Sequence, residues 1–203
     1  ANLSRVMVER GNIAGSRKMA AEMRREWRGD KQVEMAALVT ESLCFNAEGS
    51  PEKAKALVDQ ALTLQAQVAA EALEKGKTAS QRLAVDLAHA CYATGKEEDA
   101  NKLMRQVAAE NNDDPHLLEH ITNIFDKTGQ SDAGKAMLEQ VGKEIIELNN
   151  RGVMAARSGD LEGAVKLLIQ AAEKVPNLQF LINAAKAIFT LLDKKGWDSD
   201  LAA

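Results

Sequence analysis

The sequence predicts an all-α fold assembled from successive helix-turn-helix units, and three observations carry that expectation. The apolar residues are mainly Ala, Leu, Val, Ile and Met, with aromatics at 3% and only three prolines in 203 residues. Such residues lose little side-chain entropy in a helix, and the chain has few breakers. No stretch alternates apolar and polar residues with the period of two that a half-buried strand requires. Finally, one spacing recurs five times in a single register.

That spacing is centred on Gly11, Gly49, Gly95, Gly129 and Gly159. Seven residues before each glycine stands a small residue: Ser4, Ser42, Ala88, Thr122 and Gly152. Five residues after it stands another: Ser16, Ala54, Ala100, Gly134 and Ala164. Apolar residues occupy the position four before (Met7, Phe45, Cys91, Phe125, Ala155) and those nine and twelve after, for example Met104 and Val107. A small residue on each of two helices lets them approach closely. The glycine supplies the positive φ of the turn between them, and the apolar residues at three- and four-residue steps form each buried stripe.

The units follow in order. Residues 1–34 turn at Gly11. Their segment RKMAAEMRREWR (17–28) gathers five basic residues around Trp27 and reads as a solvated helix face, with a basic docking patch as the alternative. In 35–80, Ser50-Pro51 opens the second helix, with proline at its first position. The glycine-to-glycine steps are 38, 46, 34 and 30 residues. The longest places about 12 extra residues near 67–78, read as a lengthened second helix. Residues 81–114 form the third unit. Asp114 caps, and Pro115 opens, the first helix of 115–144. Asp160 caps the second helix of 145–178. An apolar helix over 178–192 follows without a full-length partner. The segment DKKGWDSDLAA either begins a cap for it, or a second copy of the chain covers it.

These features resemble tetratricopeptide repeats. The segment 145–178 carries that family's Asn-x-Gly region (Asn150, Gly152), turn glycine (Gly159), paired alanines (Ala164, Ala171) and closing proline (Pro176). The family's first-helix Trp is missing, and its Tyr is replaced by Phe45, Cys91, Phe125 and Ala155. The resemblance implies a single array forming a right-handed superhelix, an α-solenoid, whose first helices line a concave groove that holds a protein or peptide partner. On that basis the groove residues are Asp86, His89 and Tyr92, then His116, Glu119, His120, Asn123 and Lys127. Further along they are Asn149, Asn150 and Arg157, with Asn183 and Lys186 on the terminal helix.

The asparagines could hydrogen-bond a ligand backbone or could satisfy contacts between repeats. Chaperone-binding members of the family clamp a peptide carboxylate with Lys, Arg and Asn. Here Asp86, His89 and Glu119 stand in the middle of the groove, which suits a polar segment or helix of a protein instead. More narrowly, LNNRGVMAARSGDLEGAVKLLIQAAEKVPN and the following helix look like the C-terminal repeat region of bacterial response regulators. In those proteins the repeats serve as the output half behind a receiver domain. That resemblance implies a place in bacterial signal transduction.

Other classes find little support. Residues 116–120, HLLEH, have the H-x-x-E-H spacing of inverted zinc peptidases. No third ligand follows on a later helix, and a tandem array leaves no room for a catalytic domain, so no enzyme is expected. His89, His116 and His120 converging on a transition metal is the remaining metal-binding alternative. No cofactor motif is present. The net charge of −4, from 26 basic and 30 acidic residues well mixed, argues against nucleic acid. No apolar run approaches the roughly 20 residues of a membrane span. Cys44 and Cys91 lie apart in apolar helical segments and read as reduced core residues of a cytoplasmic protein. A structural module that forms a homodimer through its terminal helix or the Trp27 region is the competing function.

Overall fold

In a computed structural model of the chain, residues 2–75, 79–175 and 177–196 are described. Among them are ten helices and no strand: α1 (Asn2–Glu9), α2 (Ile13–Glu26), α3 (Lys31–Ala47), α4 (Pro51–Glu74), α5 (Gln81–Ala93), α6 (Glu97–Glu110), α7 (Pro115–Lys127), α8 (Ser131–Ser158), α9 (Leu161–Lys174) and α10 (Leu178–Lys195). The chain divides into two compact units, Ala1–Val107 and Ala108–Ala203.

The local chemistry behaves as the spacing requires. All five repeat glycines have φ between 72° and 92°, a conformation any side chain would strain. The small residues flanking them bring helices together: Ser16 Oγ donates to the Ser4 carbonyl at 2.8 Å, and Ala88, Ala100 and Ala164 are fully buried. Asp114 accepts from the amides of His116 and Leu117 at 3.0 and 3.1 Å, and Asp160 from that of Gly163 at 2.9 Å. Both satisfy otherwise orphaned first-turn donors. Ser50 stands at the N-cap of α4, but its side chain makes no capping bond. There Pro51 at the first helical position removes one of those donors instead.

In the first unit α3 is central, packed against α2, α4, α5 and α1. It buries Met35 through Thr40 and Ser42 through Cys44, so it reads as apolar nearly all round, the mark of a helix enclosed by others. The extra residues of the long step extend α4 through Glu74, as expected for 67–74; residues 76–78 of that segment lie outside the described residues. The basic segment 17–28 is partly neutralised within the unit. Arg24 bonds Glu34 at 2.9 Å and also reaches Glu41, while Arg17 bonds Glu48 at 2.7 Å. Cys44 and Cys91 are buried free thiols.

The second unit departs from the expected arrangement. The boundary between 115–144 and 145–178 falls inside α8, one helix from Ser131 to Ser158. The physical reason lies in QVGKEIIELNN: it contains no proline, Gly142 does not have positive φ, and the buried positions Val141, Ile145, Asn149 and Gly152 run on without a phase break. The 30-residue glycine step is about one short loop shorter than the 34-residue period. With that loop gone, the helices on either side fuse into one rod of about 42 Å at 1.5 Å per residue. Helix α7 packs on α8, α8 on α9, and α10 on both α8 and α9. Fusion leaves Ile146 and Met154 exposed, at 54% and 67%. The closing Pro176, and the cap expected beyond Gly196, lie outside the described residues.

Candidate functional site

Three faces divide α10. Phe180, Ala184, Ala187 and Leu191, at steps of four, three and four, are buried. Leu178, Leu181, Ile182 and Phe189 form an outward apolar stripe. A polar face beside the buried one carries Gln179, Asn183, Lys186 and Thr190. On this face Asn183 Nδ2 donates to Asn149 Oδ1 of α8 at 3.1 Å, and Gln179 Nε2 in turn donates to Asn183 Oδ1 at 2.9 Å. Asn149 is buried, with 6% of its surface exposed. The two asparagines are 34 residues apart, the same step that separates Gly95 from Gly129.

Beside this bond opens a hollow of about 240 Å³. Its apolar walls are Val153 and Ala156 of α8, Leu161 and Leu168 of α9, and Ala187 of α10. Arg157, Lys186, Asn183 and Thr190 supply its polar atoms, and no carboxylate lines it. Val153 and Ala187, and likewise Ala156 and Thr190, are 34 residues apart in the sequence, and all four line the hollow. Arg157 and Lys186 are exposed, and neither has an ion-pair partner among the described residues. Arg157 also sits in the last turn of α8, where a cation complements the helix dipole. The hollow therefore presents two uncompensated positive charges over an apolar floor, next to a fixed amide pair. It can take a negatively charged group whose neighbouring atoms are apolar.

The other expected groove residues distribute differently. On α7, His116, Glu119, Asn123 and Lys127 are exposed along one stripe. His120, expected to share that face with His116, is instead 7% exposed. It falls at the edge of the arc holding the buried Leu117, Ile121 and Ile124. The two histidines therefore do not open to a common ligand. His89 is half-buried on α5 in the other unit. Among the described residues no group of three or more His, Cys, Asp or Glu side chains could hold a metal ion.

Tyr92 is a second correction. It is 9% exposed, and its hydroxyl donates to Asn101 Oδ1 at 2.6 Å, so it braces α5 against α6. Asp86, 3% exposed, lines a hollow of about 580 Å³ in the first unit with Trp27, Met23 and Arg82. There cationic and acidic groups are mixed: Arg82 stands with Asp30, whose carboxylate already caps α3 through the Gln32 and Val33 amides at 2.8 and 3.1 Å. Asn150 is exposed on α8 and does not line the hollow beside Asn149.

Sequence reading missed Thr190 and the apolar floor. Thr190 stands four residues after Lys186, on the same helical face, and that spacing could have found it. The floor residues look like ordinary core until their partners across the helices are known. No helix is long and apolar enough to cross a membrane among the described residues. No protein-family model, curated protein or solved structure matches the chain.

Proposed function

We propose that the chain is a non-enzymatic interaction scaffold of the tetratricopeptide type. In this reading it binds a carboxylate-bearing segment of a protein partner between α8 and α10. The observation that carries the reading is the hollow in which Arg157 and Lys186, without acidic neighbours, flank an apolar floor. A free or side-chain carboxylate would form charge-assisted bonds with the two cations, while the residue beside it packs on Leu161 and Ala187. The Asn149–Asn183 bond, between residues 34 apart, supports the repeat reading. The right-handed superhelix that the family resemblance implies, and a role as the output region of a bacterial response regulator, belong to the same proposal. Two free, buried thiols fit a reducing cytoplasm.

The test is a binding titration of the purified protein with fluorescent hexapeptides ending in Asp-Leu or Glu-Leu, against amidated and lysine-substituted controls. Acidic peptides with a free terminus should bind, and Arg157→Ala or Lys186→Ala should each weaken binding roughly tenfold or more, as loss of a charged hydrogen bond does. Raising salt should weaken it too. Indifference to peptide charge, or unchanged affinity in both variants, would remove the hollow as the binding site.

A further inference from the structure

Trp27 follows Ser16, Ala20 and Met23 on α2 at steps of four, three and four, the spacing of an inward stripe. It is nonetheless the C-cap of the helix and 57% exposed. Two residues later Gly29 turns the chain with φ of 91°, and Asp30 caps α3. An indole left open in this way is the residue type that most often anchors a protein partner.

Trp27 and Leu64 of α4 are the apolar side-chain walls of a hollow of about 490 Å³ in the first unit. Four cations and two carboxylates line it as well, and most of these charges are already engaged. Arg24 is held by Glu34, inside the hollow, and by Glu41, outside it. Lys31 is held by Glu71, and Asp30 accepts from the Gln32 and Val33 amides. Arg25 and Arg28 remain. Both are exposed, and neither has an ion-pair partner among the described residues. The residues that lengthen α4 extend the apolar surface: Val68 and Ala72 line a further hollow of about 500 Å³ that shares Asp30 and Lys31 with the first.

We propose that this hollow docks an acidic segment of a protein partner, with one bulky apolar side chain between Trp27 and Leu64 and carboxylates on Arg25 and Arg28. Charge complementarity selects that occupant. Nucleic acid or an anionic membrane surface gains its affinity from several cations at once, whereas only two are unengaged here. Glu22 and Glu26, both exposed on the same end of α2, repel an extended anionic surface but leave room for a short segment. Two charge-assisted bonds flanking an apolar anchor are enough for such a segment. This site belongs to the first unit, and it and the hollow between α8 and α10 can each fail alone.

Tryptophan fluorescence tests the proposal, because Trp197→Phe leaves Trp27 as the chain's one tryptophan. The probes are dodecapeptides with a single Leu, Met or Phe between runs of Glu, acetylated and amidated so that they carry side-chain carboxylates only. Binding should shift Trp27 emission to the blue, protect it from acrylamide and weaken as salt rises. Arg25→Ala and Arg28→Ala should each weaken it roughly fivefold or more, and Arg25→Lys and Arg28→Lys less. Trp27→Ala, followed with labelled peptide, should weaken it about thirtyfold. Arg157→Ala and Lys186→Ala should leave the Trp27 response as it is. A Trp27 emission that no peptide changes overturns the proposal, as does a response that survives Arg25→Ala/Arg28→Ala. A response to phosphatidylserine vesicles or to a single-stranded oligonucleotide, without one to peptide, overturns it too and assigns the patch to lipid or nucleic acid.

Discussion

At Gly152 a hydrogen stands where any other residue would place a carbon 2.6 Å from Leu168 Cγ and 3.2 Å from Leu167 Cβ. Two effects oppose each other on substitution. Alanine gains roughly 1 kcal/mol over glycine inside a helix, while overpacking a close contact costs about 1–3 kcal/mol. The clash is with the branch point of Leu168, which is 2% exposed, and with a rigid Cβ, so it has little room to relax. Gly152→Ala should therefore destabilise the protein by up to about 2 kcal/mol, read as a lower urea midpoint at unchanged slope. An unchanged or higher midpoint would mean that α8 and α9 can separate freely. The glycine offsets in the sequence had already singled out this position. The polar residues were less legible. Tyr92, His120 and Asn149 lie on the helices foreseen, yet each is buried, and Tyr92 and Asn149 bond a neighbouring helix. Position along one helix does not say how far the next one covers it.

The elements themselves were mostly legible, since a turn glycine, an aspartate cap and a three-four apolar rhythm are local properties. The exception was α8. A regular period of about 34 residues argues for a turn near residue 144, whereas local chemistry offers nothing to make one, and local chemistry wins. Gly142 discriminates between the two outcomes. In a turn it would need positive φ, and Gly142→Ala would destabilise. Within a continuous helix with nothing inside 4 Å of the added carbon, Gly142→Ala should stabilise by about 0.5–1 kcal/mol. Thermal denaturation reads the sign, and a lower melting temperature would restore the interrupted helix. The outward stripe of α10 was visible as an apolar run over 178–192, but its separation from the buried stripe was not. Only the position of α9 shows which apolar residues are already spent.

At the scale of the whole chain, sequence periodicity reports the repeating unit but not where compact units divide, because a division depends on contacts that skip along the chain. The two units also differ in chemistry, and alkaline pH should separate them. Both cysteines and the single tyrosine belong to the first unit. Burial, reinforced by Asp99, pushes the Cys91 thiol up to about 12, and burial with Glu97 nearby does the same for the Tyr92 hydroxyl. The hydrogen bond from Lys96 to Asp59 raises the lysine as well. A pKa raised on folding means that the folded state keeps a proton which the unfolded chain gives up. The stabilisation is then complete below the unfolded value, near 9.0 for the thiol, and is lost as pH rises towards the folded one. Each such group can lower stability by at most about 1.4 kcal/mol per pH unit across that window. Followed by amide NMR signals during heating, α5 should melt at lower temperature at about pH 10.5 than at pH 8. The signals of α9, whose unit has neither thiol nor phenol, should shift less. Cys91→Ala should flatten the slope for α5, and an equal slope in that variant would exclude the buried thiol as its cause.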